Sequence, residues 1–171
     1  VSGFDVIFEN ISTSQNNCLW DFGDGHNSNQ INVSHHFDSA GVFDVSLVSY
    51  NTCNFNGDTN TQKIGIKGIN SYFPKIFGKD DLALLFINGA VFTPSTSVQL
   101  IKDSIIISAN TAIQILDSTN IFASFDLHSV PIGTYHLIVT IPGDTTMLIE
   151  NAILITSPNR ATTFGCNVVG S

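Results

Sequence analysis

Apolar residues recur at every second position along much of this chain. In the stretch GFDVIFE, residues 3–9, the side chains of Phe4, Val6 and Phe8 fall on one side of an extended backbone. This period of two predicts a β-strand with one buried face. The stretch VFDVSLVSY, residues 42–50, has the same pattern and is expected to bury Val45 and Leu47.

Turn-forming residues separate these apolar stretches in the first part of the chain. Breaks occur at DFGDG, at DSAG and at NTCNFNGD, and the last of these predicts a hairpin between VFDVSLVSY and TNTQKIGIKG. Several short strands within so few residues are typical of a small β-sandwich. We therefore predict a first domain at residues 1–68.

The rest of the chain has a similar pattern of short strands and turns. Strand-like stretches alternate with predicted turns at Asn-Gly, Pro-Ser-Thr, Asp-Ser-Thr-Asn, Pro-Ile-Gly and Pro-Gly-Asp. We predict a second sandwich at residues 69–156. Residues 157–171 form a C-terminal tail with the apolar stretch TFGCNVVG, which we interpret as an added or inter-subunit strand.

Composition supports an all-β fold of two tandem immunoglobulin-like β-sandwich domains. Only 12% of the 171 residues are charged, whereas 43% are hydrophobic, and there are 13 phenylalanines. Aromatic and β-branched residues favour strands, and the residues that favour helices are scarce.

Charge excludes two classes of partner. The net charge is −8, from 14 acidic and 6 basic residues, and Arg160 is the only arginine. Nucleic acids and anionic membrane surfaces both require clustered cations, and no apolar run is long enough to span a bilayer. The chain opens on Val1, which we interpret as processing or excision, so an extracellular or cell-surface location is expected.

The stretch WDFGDG, Trp20 to Gly25, concentrates polar and aromatic residues. Calcium requires six to eight oxygen ligands from closely spaced acids, so Asp21 and Asp24 are only weak calcium candidates. A tight turn explains the same residues, because Asp accepts backbone N–H groups and Gly23 and Gly25 tolerate positive φ. Trp20 is expected in the core.

Catalytic patterns are missing from the sequence. There is no G-x-S-x-G or H-E-x-x-H stretch, and the two glutamates, Glu9 and Glu150, fall in different predicted domains. His35 and His36 are consecutive, so on a strand they point to opposite sides and cannot share one metal ion. We predict a protein that is not an enzyme, with no catalytic residues, no metal and no cofactor apart from the weak calcium candidates.

Three motifs in order give the first domain a specific resemblance. WDFGDG is followed by HHF at residues 35–37 and by GVFDVSL at residues 41–47. This series resembles the polycystic-kidney-disease (PKD) repeat, an immunoglobulin-like module of secreted and surface proteins. The resemblance implies a structural motif made of Trp20, Asp21, Gly23, Asp24, Gly25, His36 and Gly41. His36 is assigned to the histidine position of the family motif, and His35 beside it is the alternative.

The second domain is similar to the IPT/TIG immunoglobulin-like family. The shared steps are Gly89 to Phe92, Val98 to Leu100, Pro131 to Val139 and Asn151 to Ile155. Both resemblances imply extracellular, non-catalytic modules.

Spacing alone leaves all three pairings of Cys18, Cys53 and Cys166 open. If the strands that carry them are neighbours, Cys18 and Cys53 come within disulfide range, which leaves Cys166 unpaired. Asn10 and Asn32 each begin a glycosylation sequon.

Three functions fit these observations. The first is a structural or adhesive module that binds protein partners. The second is a self-assembling subunit of a filament or surface layer, which associates through sheet edges and the tail. The third is a polysaccharide-binding accessory module that uses exposed aromatic residues such as Tyr50, Tyr72 and Phe73.

Overall fold

A computed structural model describes residues 4–12, 17–50, 57–79, 82–110 and 114–157. Within these ranges all regular elements are β-strands, which confirms the predicted all-β class. The first six strands are β1 (Phe4–Phe8), β2 (Asn17–Asp21), β3 (Asn27–Ser28), β4 (Val33–Phe37), β5 (Gly41–Tyr50) and β6 (Asp58–Ile66). The next nine are β7 (Gly68–Phe73), β8 (Ile76–Gly78), β9 (Leu82–Ala90), β10 (Ser97–Lys102), β11 (Ile105–Ser108), β12 (Gln114–Asp117), β13 (Asn120–Asp126), β14 (Gly133–Ile141) and β15 (Thr145–Thr156).

Strands β1 to β6 form two sheets around one apolar core. Strand β1 pairs with β4, and the second sheet has the order β3-β2-β5-β6. The predicted hairpin between β5 and β6 is confirmed by their antiparallel pairing, although residues 51–56 lie outside the described residues. The buried members of this core are Phe8, Cys18, Trp20, Phe22, Phe37, Val45 and Ile66.

Strands β7 to β15 form two further sheets around a larger core. Their orders are β12-β13-β9-β7 and β11-β10-β14-β15-β8. Tyr135 on β14 is fully buried in this core, and its hydroxyl donates a hydrogen bond to the Pro131 carbonyl at 2.8 Å. A buried tyrosine bonded to backbone a few residues upstream is a feature of immunoglobulin-like sandwiches.

One predicted turn in this part is wrong. Asn88 and Gly89 were expected to turn the chain, but both lie inside β9, where Gly89 pairs with Ile69 of β7. A Cβ atom at position 89 would collide with the Gly68 carbonyl oxygen. Glycine therefore serves a close backbone approach at a bulge between two strands.

Strand β6 passes into β7 through Lys67 alone. Asn70 accepts the Ala40 N–H at 2.9 Å and donates to the Ala40 carbonyl at 3.0 Å, so one side chain satisfies both backbone groups. Lys67 forms an ion pair with Asp144 across the same junction. The division into two domains at Gly68 stays a prediction. The role of the tail also stays a prediction, because residues 158–171 lie outside the described residues.

None of the described segments is a helix long and apolar enough to cross a membrane.

Candidate functional site

The WDFGDG stretch forms a turn after β2 that is held by its own side chains. Asp21 Oδ1 accepts the Gly23 N–H and Asp24 Oδ1 accepts the His26 N–H, both at 3.0 Å. Gly23 and Gly25 have φ values of 74° and 93°, in the left-handed region that favours glycine. A Cβ atom on Gly23 would also lie 2.7 Å from the Asp44 carbonyl oxygen. The predicted turn is therefore confirmed.

Trp20 anchors this turn in the first core. Its side chain is buried, as predicted, and its ring lies 5.5 Å from the Phe8 ring. The indole N–H donates to the Gln30 carbonyl at 3.1 Å, which satisfies the polar atom of a buried aromatic residue.

His35 on β4 contacts the turn from the neighbouring sheet. Its Nε2 lies 2.7 Å from Asp24 Oδ2, in hydrogen-bonding geometry, and only 12% of its side chain is exposed. The ring stacks on Phe22 with centroids 3.8 Å apart and planes 4° from parallel, and it meets Phe37 edge-on at 4.7 Å. Both ring contacts restrict the orientation of the imidazole.

Asp24 is the electrostatic centre of the turn. Burial raises the pKa of Asp24, but the His35 hydrogen bond, the His26 N–H and the charges of the two imidazoles lower it, and the resulting pKa lies below its ordinary value. The structure therefore favours the carboxylate, which is the form that accepts hydrogen bonds and binds cations.

His26 brings a third donor to this turn. Its Nδ1 lies 3.4 Å from Asp24 Oδ1, and 65% of its side chain is exposed. One ligand atom each from Asp24, His26 and His35 can be chosen so that all three lie within 4.8 Å of one another. Asp21, the other calcium candidate, is not part of this group.

This group was not predicted from the sequence, where His35 was compared only with its neighbour His36. His36 is exposed, and its Nδ1 lies 3.0 Å from Asp5 Oδ1, so the structure brings His35 rather than His36 to the turn. The spacing Asp-x-His at residues 24–26 was the available signal, since an Asp-capped turn brings the residue two positions later close to its carboxylate.

Cys18 departs from the predicted disulfide with Cys53. It is a free, buried thiol whose Sγ donates to the Gln30 carbonyl at 3.3 Å. Alternation along β2 points Cys18 into the core beside Trp20, and there its sulfur faces backbone oxygen atoms. Cys53 and Cys166 lie outside the described residues.

Asn10 of the first sequon is also buried, and its backbone N–H donates to Asn32 Oδ1 of the second sequon at 3.0 Å.

A second candidate site lies on the outer face of the sheet β12-β13-β9-β7. Phe73, Phe86 and Phe122 occupy paired positions on three adjacent strands, with ring centroids 4.9 and 5.1 Å apart. Leu82 and Leu84 continue this face along β9, and Phe73, Leu82 and Leu84 are each more than half exposed. We call these five residues the apolar face.

The polysaccharide candidates do not all lie on this face. Phe73 is part of it, but Tyr72 is partly buried and packs on the second core. Tyr50 ends β5 in the first half of the chain. The structure therefore does not bring the three predicted aromatic residues together.

Comparison with protein families gives one match, in the first part of the chain. Residues 2–66 match the family model of the PKD domain, which confirms that part of the resemblance. The likeness of the second half to the IPT/TIG family stays a prediction. A search among curated proteins found no match.

Among solved structures, the chain is similar to SGBP-B of the Bacteroides ovatus mixed-linkage glucan utilization locus, solved in complex with a mixed-linkage heptasaccharide. The two are 11% identical, with a TM-score of 0.34 over 89% of this chain and 40% of that one. This chain thus spans less than half the length of that protein, and at this score no functional argument follows.

Proposed function

We propose that this chain, whose residues 2–66 match the PKD domain, is a non-catalytic structural and adhesive module of an extracellular or cell-surface protein. The observation that carries this proposal is the apolar face, which the second sandwich presents outward. A contiguous exposed apolar patch is characteristic of a surface that binds another molecule.

The chemistry of the apolar face favours a protein partner. Its aromatic centre is bordered by polar side chains of the same sheet face, Asn88, Asn120, Ser124 and Asp126. An apolar centre with a polar rim is the usual composition of a protein–protein interface.

The same geometry disfavours a sugar ligand. The three phenylalanine rings are tilted by 42° and 58° to one another, so they do not form a flat stacking platform. Phenylalanine also lacks the polar group with which tyrosine or tryptophan bonds a sugar hydroxyl.

Site-specific crosslinking tests the proposal in the cells that produce the protein. A photo-crosslinking residue at Leu84 should join the chain to one other protein, whereas the same residue at Ile106 should not. Ile106 is a matched control, because it is exposed and apolar but lies on β11 in the other sheet. The double substitution Phe86→Ser and Phe122→Ser should abolish the crosslink, and the purified partner should bind the wild-type chain but not this variant.

Equal crosslinking from both positions, or none from Leu84, would contradict the proposal. Binding to polysaccharide in affinity gels, if lost in the same double variant, would replace it with the glycan-binding function.

Self-assembly is a second candidate, favoured by an open edge in the first sandwich. Strand β6 ends its sheet, and residues 58–63 are exposed along it. An adjacent groove of about 430 Å³ between β1 and β6 is lined by apolar side chains that include Val6, Phe8 and Leu47. Such an edge can accept a strand from a second copy.

Negative-stain microscopy and sedimentation at high protein concentration test self-assembly. Filaments or concentration-dependent oligomers, lost when the exposed groove residues Asn60 and Gln62 of β6 are replaced by Lys, would support this candidate. A monodisperse monomer would exclude it.

A further inference from the structure

We propose that Asp24, His26 and His35 form a binding site for a zinc-like divalent transition-metal ion at the WDFGDG turn. Two imidazoles and a carboxylate are the mixed nitrogen and oxygen ligands that zinc takes in proteins, with an open fourth position for water or another ligand. Calcium needs six to eight oxygen ligands and does not match this group.

The distances within the group suit a small ion. With metal–ligand bonds of about 2.1 Å, the ligand atoms of a tetrahedral zinc site lie about 3.4 Å apart. Asp24 Oδ1 and His26 Nδ1 already have a separation of 3.4 Å, and the Asp24 Oδ2 to His35 Nε2 distance is 2.7 Å. The ligand atoms of all three residues lie within 4.8 Å of one another, so an ion can enter after small side-chain rotations.

Two of the three ligands are held in place before the ion binds. The Asp24 carboxylate is fixed by the His26 N–H, and the His35 ring is fixed between Phe22 and Phe37. Such restraint lowers the conformational entropy that binding would otherwise cost. His26 is exposed, so its side chain can rotate to complete the site.

A purely structural hydrogen bond between Asp24 and His35 accounts for only part of the arrangement. It explains why Asp24 and His35 are buried together, whereas His26 approaches the same carboxylate from an exposed position, at 3.4 Å. The His26 ring lies beside the same carboxylate oxygen that its own backbone N–H already occupies. Coordination of one ion by all three residues accounts for the position of the His26 imidazole beside Asp24.

Isothermal titration of the full chain with zinc chloride tests the site. We expect one zinc ion per chain and an affinity at least ~10-fold lower in the His26→Ala variant, since losing even a supporting partner of a metal ligand costs that much. His36→Ala is the matched control, because His36 is an exposed histidine of the same strand as His35 but outside the group. Its affinity should equal that of the wild type.

Two spectroscopic measurements separate this site from binding by cysteines. Zinc should shift the imidazole NMR signals of both His26 and His35, and cobalt(II) bound in its place should show no thiolate charge-transfer absorption. His26 is exposed, so its substitution leaves the core intact, and a folded variant is expected.

Equal zinc affinities for the wild type and the His26→Ala variant would overturn the proposal. Thiolate absorption from bound cobalt, or unchanged signals of the two histidines, would do the same.

Discussion

Tyr135 shows at the scale of one residue how burial couples stability to pH. Its ring is fully buried, and its hydroxyl donates to the Pro131 carbonyl. Burial and the nearby charge of Asp103 raise the pKa of the Tyr135 hydroxyl above its usual value of 10.0. The folded protein therefore holds this proton more tightly than the unfolded chain does.

We expect Tyr135 to make the free energy of unfolding fall at alkaline pH. The raised pKa contributes stability that is fully present below about pH 10 and is lost as pH rises through the folded-state pKa, because the unfolded tyrosine ionises first. Urea unfolding at a series of pH values from 8 to 11.5 measures this decline.

Tyr135→Phe is the matched control for this prediction. It removes the ionisable hydroxyl and costs about 1 kcal/mol at neutral pH, because the Pro131 carbonyl loses its donor. Its stability should decline less steeply than that of the wild type above pH 10. Parallel curves would show that other groups cause the alkaline loss.

Residues that act locally could be predicted from the sequence, whereas those that act across strands could not. Asp21 bonds a backbone group two residues along the chain, so the sequence alone indicated its role in the turn. His35 reaches Asp24 from a different sheet, and that contact depends on how β4 lies beside the turn. Cys18 likewise departed from its predicted partner, because its surroundings depend on packing.

At the scale of elements, the passage from β6 to β7 depends on Asn70. Its side-chain amide bonds both backbone groups of Ala40, which lies before β5 in the first half of the chain. Gly68 packs against Phe4 and Ala40, since a Cβ atom there would lie 2.6 Å from the Phe4 ring and 3.1 Å from the Ala40 Cβ. These contacts join the two parts of the chain at a short connection.

Asn70→Ala should destabilise the protein by about 1–3 kcal/mol, because it leaves two partly buried backbone groups without partners. Hydrogen exchange of the Ala40 amide should become faster in this variant. Asn60→Ala is the control, since Asn60 is exposed on β6, and it should change stability by less than about 0.5 kcal/mol. Unchanged exchange at Ala40 would mean that Asn70 does not hold this junction.

The pattern of alternation was sufficient to locate most strands, but not every turn. Phe4, Val6 and Phe8 lie on the inner side of β1 as expected, since a strand in a two-layer fold must bury one face. Asn88-Gly89 looked like a turn and lies inside a strand, because the same two residues also suit a close approach to a neighbouring backbone.

At the scale of the whole molecule, the described residues form two apolar cores that share no buried residue. Trp20, the only tryptophan of the chain, lies in the first core. Leu85 of β9 is fully buried in the second. The two cores can therefore be perturbed and observed separately.

If the chain folds as two units, Leu85→Ala should destabilise the second by about 2–5 kcal/mol, because it leaves a cavity in a packed core. Circular dichroism should then show an earlier transition for part of the strand signal, while the unfolding transition of Trp20 fluorescence should move little. An equal shift of both signals would contradict the predicted division near Gly68 and show one cooperative unit.

The sequence by itself determined the all-β class, the turn at WDFGDG and the buried Trp20, because strand alternation and turn chemistry act over a few neighbouring residues. Only the tertiary structure decided which histidine meets Asp24, that Cys18 is a free thiol, and that Phe73, Phe86 and Phe122 form one exposed row. These features depend on strand order and register, which join residues far apart in the chain, and no local pattern specifies them.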